Sequence, residues 1–127
     1  MKSLSIQTRA RTQFLDITAQ VQEHVAKSSS TNGVVTVFVP HTTAGVTINE
    51  NADPDVVADI ESTLDQLIPW RNNYKHSEGN SAAHVKASLM GSSAQVPIED
   101  GKLMLGTWQS IYFCEFDGPR DRKVWVT

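Results

Sequence analysis

The feature that most constrains this chain is Val34-Val35-Thr36-Val37-Phe38-Val39, six β-branched or aromatic residues with Pro40 directly behind them. Such side chains fit a pleated sheet better than a helix, and proline cannot donate to a central ladder. The run therefore reads as a central strand that ends at Pro40. A central strand needs neighbours, and the chain supplies them in sequence order. Lys2 to Thr8 alternates polar and apolar, and the short run Val46-Thr47-Ile48 follows Gly45. Ala94–Glu99 and Lys102–Leu105 flank Asp100-Gly101, a strong hairpin signal. Thr107–Phe116 reads as a long strand, and Gly118-Pro119 turns it into a last one at Lys123–Val126.

Helical periodicity is confined to three places. Ile17, Val21 and Val25 recur at four-residue steps after Asp16 and Thr18, either of which can serve as N-cap, and that helix ends near Lys27. Asp53-Pro54-Asp55 is a strong helix start, with proline at the first helical position and acid at the positive end of the dipole. Val56, Val57, Ile60, Leu64, Leu67 and Ile68 then trace one apolar stripe up to Pro69. Ala83–Met90 reads as a short helix closed by Gly91, after a long polar loop from Trp70 to Ala82. About seven strands, most of them adjacent in sequence, with two or three helices, predict an α+β fold with mostly antiparallel sheets.

The 127 residues predict a single domain, residues 1–127, whose modest core would gain from oligomerisation. Net charge is −3, which argues against a nucleic-acid or anionic-membrane partner. One cysteine, Cys114, excludes an internal disulfide and a thiolate-rich metal cage. No apolar run approaches the ~20 residues of a membrane span, and the first ten residues lack a signal peptide's apolar core. The expected location is the cytoplasm.

Three groups of residues can carry chemistry. His41 follows the central strand, and His76 and His84 bracket the segment that holds Glu78, Gly79, Asn80 and Ser81. Three histidines with an open fourth position are a catalytic zinc arrangement, although spacing alone leaves each free to be a hydrogen-bonded loop residue. Glu50 precedes the helix start at Asp53 and has no structural role there. Glu115 shares its strand face with Gln109, Ile111 and Phe113. A carboxylate on an apolar face needs a partner, so Glu115 is a candidate base, an orienter of a histidine, or the ion-pair partner of Arg120 or Arg122. Thr42-Thr43-Ala44-Gly45, Gly91-Ser92-Ser93, Arg120, Arg122 and Lys123 supply hydroxyls, backbone N–H groups and charge suited to a phosphate. Trp108, Trp125, Tyr112 and Phe113 read as core or subunit-interface residues.

Taken together, three motifs resemble the signatures of the YjbQ family, whose members carry the label secondary thiamine-phosphate synthase. They are His41-Thr42-Thr43-Ala44-Gly45 through Glu50 to Pro54, His76-Ser77-Glu78-Gly79-Asn80 through His84 to Gly91, and Gly106-Thr107-Trp108-Gln109 with Glu115-Phe116-Asp117-Gly118-Pro119-Arg120. The resemblance covers nearly the whole chain in order. It implies a sandwich-like packing of sheets and a homotrimer with sites near subunit boundaries. It also implies a divalent metal, zinc above all, on His41, His76 and His84.

Two functional readings follow. In the first, the protein is a small metalloenzyme in which Glu50 or Glu115 acts as base or orienter. Thr42, Thr43, Ser92, Ser93 and Arg120 then hold a phosphorylated metabolite, with thiamine-phosphate synthesis as the implied secondary activity. In the second, it is a non-catalytic trimeric module that binds a metabolite or phosphate around a structural metal.

Overall fold

A computed structural model describes residues 1–127. In chain order its elements are β1 (Lys2–Gln7), β2 (Gln13–Asp16), α1 (Thr18–Lys27), β3 (Gly33–Phe38), β4 (Ala44–Glu50), α2 (Pro54–Leu67), α3 (Ser81–Met90), β5 (Ser93–Glu99), β6 (Lys102–Leu103), β7 (Gln109–Glu115) and β8 (Asp121–Val126). The strands form two antiparallel sheets, with orders β1-β8-β3-β5-β6 and β2-β7-β4. The Val34–Val39 run accordingly lies in the middle of the larger sheet, one residue earlier than its apolar limits suggest.

The two sheets face each other across the main core. Val35, Val37, Val96, Val124 and Val126 enter it from the larger sheet, Val46, Ile111 and Phe113 from the smaller, and Val21 and Val25 from α1. The smaller sheet is covered on its other face as well. Tyr112, Cys114 and Phe116 pack there against Leu64 of α2 and Ala82, Ala83 and Ala87 of α3. Strand β7 is thus buried on both faces, as its uninterrupted apolar run Ile111-Tyr112-Phe113-Cys114 requires. Lys86 of α3 is buried too, and its ammonium pairs with Asp65 of α2, which fastens the two helices to each other.

Local signals explain most of the boundaries. Asp53 Oδ1 accepts from the Asp55 N–H at 2.9 Å and caps α2, with Pro54 at its start. At the β5–β6 turn, Asp100 and Gly101 both take positive φ, 51° and 74°, as a two-residue hairpin with the sheet's twist demands. The α1 cap differs from expectation. Ile17 occupies the N-cap position without a side-chain bond, while Asp16 Oδ1 accepts from the Thr18 N–H at 2.9 Å and Thr18 Oγ1 accepts from the Ile111 N–H at 2.8 Å. Both polar side chains are used, one to start the helix and one to tie it to β7. Trp108 is 61% exposed, so in this chain it is not a core residue.

Alanines let α3 lie close to β4, and a glycine completes the approach. A Cβ at Gly45 would sit 2.7 Å from the Gly91 carbonyl oxygen and 3.0 Å from the Met90 Cβ. The Gly91 carbonyl already accepts from the Val46 N–H at 3.1 Å, so it cannot withdraw freely. We expect Gly45→Ala to destabilise the fold by about 1–3 kcal/mol in urea denaturation. Wild-type stability in that variant would mean that α3 is not held against the sheet.

Candidate functional site

Four connections meet at one end of the sandwich around a cavity of about 630 Å³. The β3–β4 connection brings His41, Thr42 and Thr43, and the segment before α3 brings His76, Glu78 and Asn80. His84 projects from α3, at the flank of the stripe formed by its buried Ala83, Lys86 and Ala87. Ser92 comes from the turn into β5, and Asp117, Arg120 and Arg122 come from the β7–β8 region. The wall is mostly polar, with Phe38, Val39 and Pro40 at one side.

The three histidines therefore share one cavity, but they play different parts. The His76 and His84 rings stand edge to face, with centroids 5.4 Å apart. His76 also has a carboxylate near it, with Glu78 Oε2 3.8 Å from Nε2. His41 Nε2 accepts the Lys123 backbone N–H at 2.9 Å. Burial holds the His41 pKa below its ordinary value, and the Arg122 charge pushes the same way.

The zinc site implied by the resemblance does not fit this geometry within one chain. No three His, Cys, Asp or Glu side chains are arranged to hold an ion. An Nε2 that accepts from an N–H cannot offer the same lone pair to a metal, and the ring proton must then sit on Nδ1.

Glu115 is completely buried. Its Oε1 accepts from Thr8 Oγ1 at 2.7 Å and from Arg122 Nε at 2.9 Å, while its Oε2 accepts from the Phe116 and Asp117 N–H groups at 3.1 Å and from Arg122 Nη2. Arg122 Nη2 also donates to Thr43 Oγ1 at 2.8 Å. Burial alone would raise the Glu115 pKa. The bonds from Arg122, Thr8 and the Asp117 N–H outweigh it and hold the carboxyl below the usual carboxylate range. A carboxylate so engaged is a poor proton acceptor, and of the roles open to it Glu115 takes ion-pair partner of Arg122.

Arg120 is fixed by Asp117, whose backbone oxygen accepts from Nε at 2.8 Å and whose Oδ2 accepts from Nη2 at 3.1 Å. The same Oδ2 accepts from Asn80 Nδ2 at 2.9 Å, leaving Asn80 Oδ1 buried without a partner. Ser93 lies in β5 opposite Phe38 and does not line the cavity. Glu50 pairs with Gln109 at the far end of β4. Six residues of extended chain separate it from Ala44, roughly 20 Å, so within one chain it cannot serve the site. Sequence reading did not single out Asn80 or Asp117, and it left the partner of Glu115 open between Arg120 and Arg122, where the structure pairs it with Arg122. For Arg122 a signal existed, because it shares strand parity with buried Val124 and Val126.

Removing one partner of a buried ion pair strands the other. Glu115→Gln is therefore expected to cost about 3–5 kcal/mol at neutral pH. The folded carboxyl titrates below its unfolded value, so its contribution is complete above about pH 4.3 and fades as pH falls toward the folded pKa. Melting temperature followed against pH should drop in that acid range for the wild type and more gently for Glu115→Gln. Parallel curves would mean that the pair adds nothing to stability.

The comparisons with known proteins agree with the architecture. The family model described as UPF0047 protein YjbQ-like matches residues 2–127. UPF0047 protein YugU of Bacillus subtilis is 49% identical over 127 residues, 99% of this chain and 96% of that protein. A UPF0047 protein of Methanocaldococcus jannaschii is 51% identical over 121 residues, covering 95% of this chain and 88% of its own. Among solved structures, an uncharacterized YjbQ/UPF0047-family protein of Clostridium acetobutylicum is 60% identical, with a TM-score of 0.98 over 100% of this chain and 98% of that one. A hypothetical protein of Aeropyrum pernix K1 is 39% identical, with a TM-score of 0.93 over 99% and 95%. This chain belongs to the YjbQ/UPF0047 family.

Proposed function

We propose that the protein is a small enzyme acting on a phosphorylated metabolite held in this cavity. The observation that carries the reading is the convergence of His76, Thr42, Thr43, Ser92 and Arg120, from four separate connections, and of His84, from α3, on one polar cavity. Arg120 is held on one side by Asp117, which presents its fork as a rigid binder of phosphate oxygens. The Thr42 and Ser92 hydroxyls add donors without adding charge.

Cleavage at a phosphate leaves negative charge on oxygen, which the arginine stabilises and an imidazole can protonate. His76 and His84 stand close enough to each other to divide these tasks. One acts on the incoming nucleophile and the other on the leaving oxygen. In the thiamine-related version that the family resemblance implies, a thiazole phosphate nitrogen attacks a hydroxymethylpyrimidine diphosphate. A C–N bond forms, the C–O bond to the diphosphate breaks, and pyrophosphate departs.

Turnover of a panel of phosphorylated metabolites, including those two precursors, tests the reading. We expect His84→Asn to lose about 100-fold in turnover at an unchanged melting temperature. Saturable binding of a phosphorylated compound with no turnover of any panel member would instead make the protein a binding module.

A further inference from the structure

Resting on the reading of the cavity as a phosphate site, we infer that Arg122 and His41 are its innermost phosphate donors, His41 through an N–H rather than as a metal ligand. The guanidinium of Arg122 is used on one edge only. Nε and Nη2 engage Glu115, and Nη2 also reaches Thr43 Oγ1, so Nη1 keeps two N–H groups with no acceptor in the chain. Arg122 lines the cavity although it is 6% exposed. Its Nη1 is not sealed in the interior, because Asn80 Oδ1 is the one buried side-chain polar atom without a partner. A buried arginine whose far edge is clamped by a carboxylate and a hydroxyl is pre-organised, so little side-chain entropy is left to lose when an anion docks on the free edge.

His41 complements it. The Lys123 N–H donates to Nε2 at 2.9 Å, so the neutral ring carries its proton on Nδ1, and Nδ1 has no acceptor in the chain. Lys123 directly follows Arg122, and Thr43 lies two residues after His41. One short stretch of β8 thus sets the orientation of both donors. A phosphate monoester or inorganic phosphate, with several acceptor oxygens pointing in different directions, matches donors that arrive from separate strands. A planar carboxylate matches them less well.

The test is a titration of the ¹⁵N-labelled wild-type protein with inorganic phosphate in the presence of a chelator, read on guanidinium and imidazole nitrogens. Expected are a neutral His41 with its proton on Nδ1 before addition, and saturable shifts of Arg122 Nη1 and His41 Nδ1 on addition. Arg122→Lys keeps the charge and loses the fork, and should weaken phosphate binding by about tenfold or more. If that variant does not fold, the wild-type spectra still decide the matter. Shifts at Arg120 and His84 with Arg122 and His41 unmoved overturn this inference and leave the wider reading standing. Absence of saturable phosphate binding overturns both. Loss of the His41 Nδ1 proton on adding zinc alone, or phosphate binding that requires zinc while Arg122 stays silent, also overturns it.

Discussion

The buried pair of Glu115 and Arg122 is the interaction on which the site depends. Two opposite charges removed from water are costly, and attraction alone rarely repays the cost. Here each lone pair and N–H that faces protein is also hydrogen-bonded, to Thr8, to Thr43 and to the backbone after Glu115. The result is a junction of four chain segments: the residue after β1, the β3–β4 connection, the end of β7 and the start of β8. What the pair supplies is geometry. An apolar replacement could fill the same volume, but it would not fix the β3–β4 connection, which carries His41 and Thr42, against β8.

The rest of the cavity is built by close packing. The alanine face of α3 sits on the smaller sheet, Gly45 permits the approach, and the flank of that face presents His84. Both sheets are stiff antiparallel ladders, so the loops that leave their ends inherit fixed starting points. Functional side chains on loops held by a rigid scaffold are the common arrangement for binding and catalysis. The same logic explains why Glu50 is not part of this site: it leaves β4 at the other end of the ladder.

Much of the fold was legible in the sequence because local and tertiary demands agree. Asp53-Pro54 starts a helix in isolation and in the protein, and Asp100-Gly101 turns a hairpin for reasons of φ alone. Strand β2 was not legible. Gln13–Asp16 is four residues without alternation, and it is a strand only because β7 lies beside it to pair with. The three histidines were visible as a group, and they do line one cavity. Their roles were not visible, since the bond from Lys123 to His41 spans 82 positions and no spacing rule reports it. Glu115 and Arg122 were each detectable as a charge at an inward-facing strand position. Their pairing was one of two that the sequence allowed, and the choice of Arg122 over Arg120 followed only from the way β7 and β8 fold together.

That this cavity holds the phosphorylated end of a metabolite is tested most directly by a crystal structure of the protein soaked with a phosphonate, an uncleavable stand-in for a phosphate ester. The predicted result is phosphonate density within hydrogen-bond distance of Arg120 and Arg122, beside His41 and Thr42. An empty cavity at saturating phosphonate, with the ligand bound elsewhere or not at all, would contradict it.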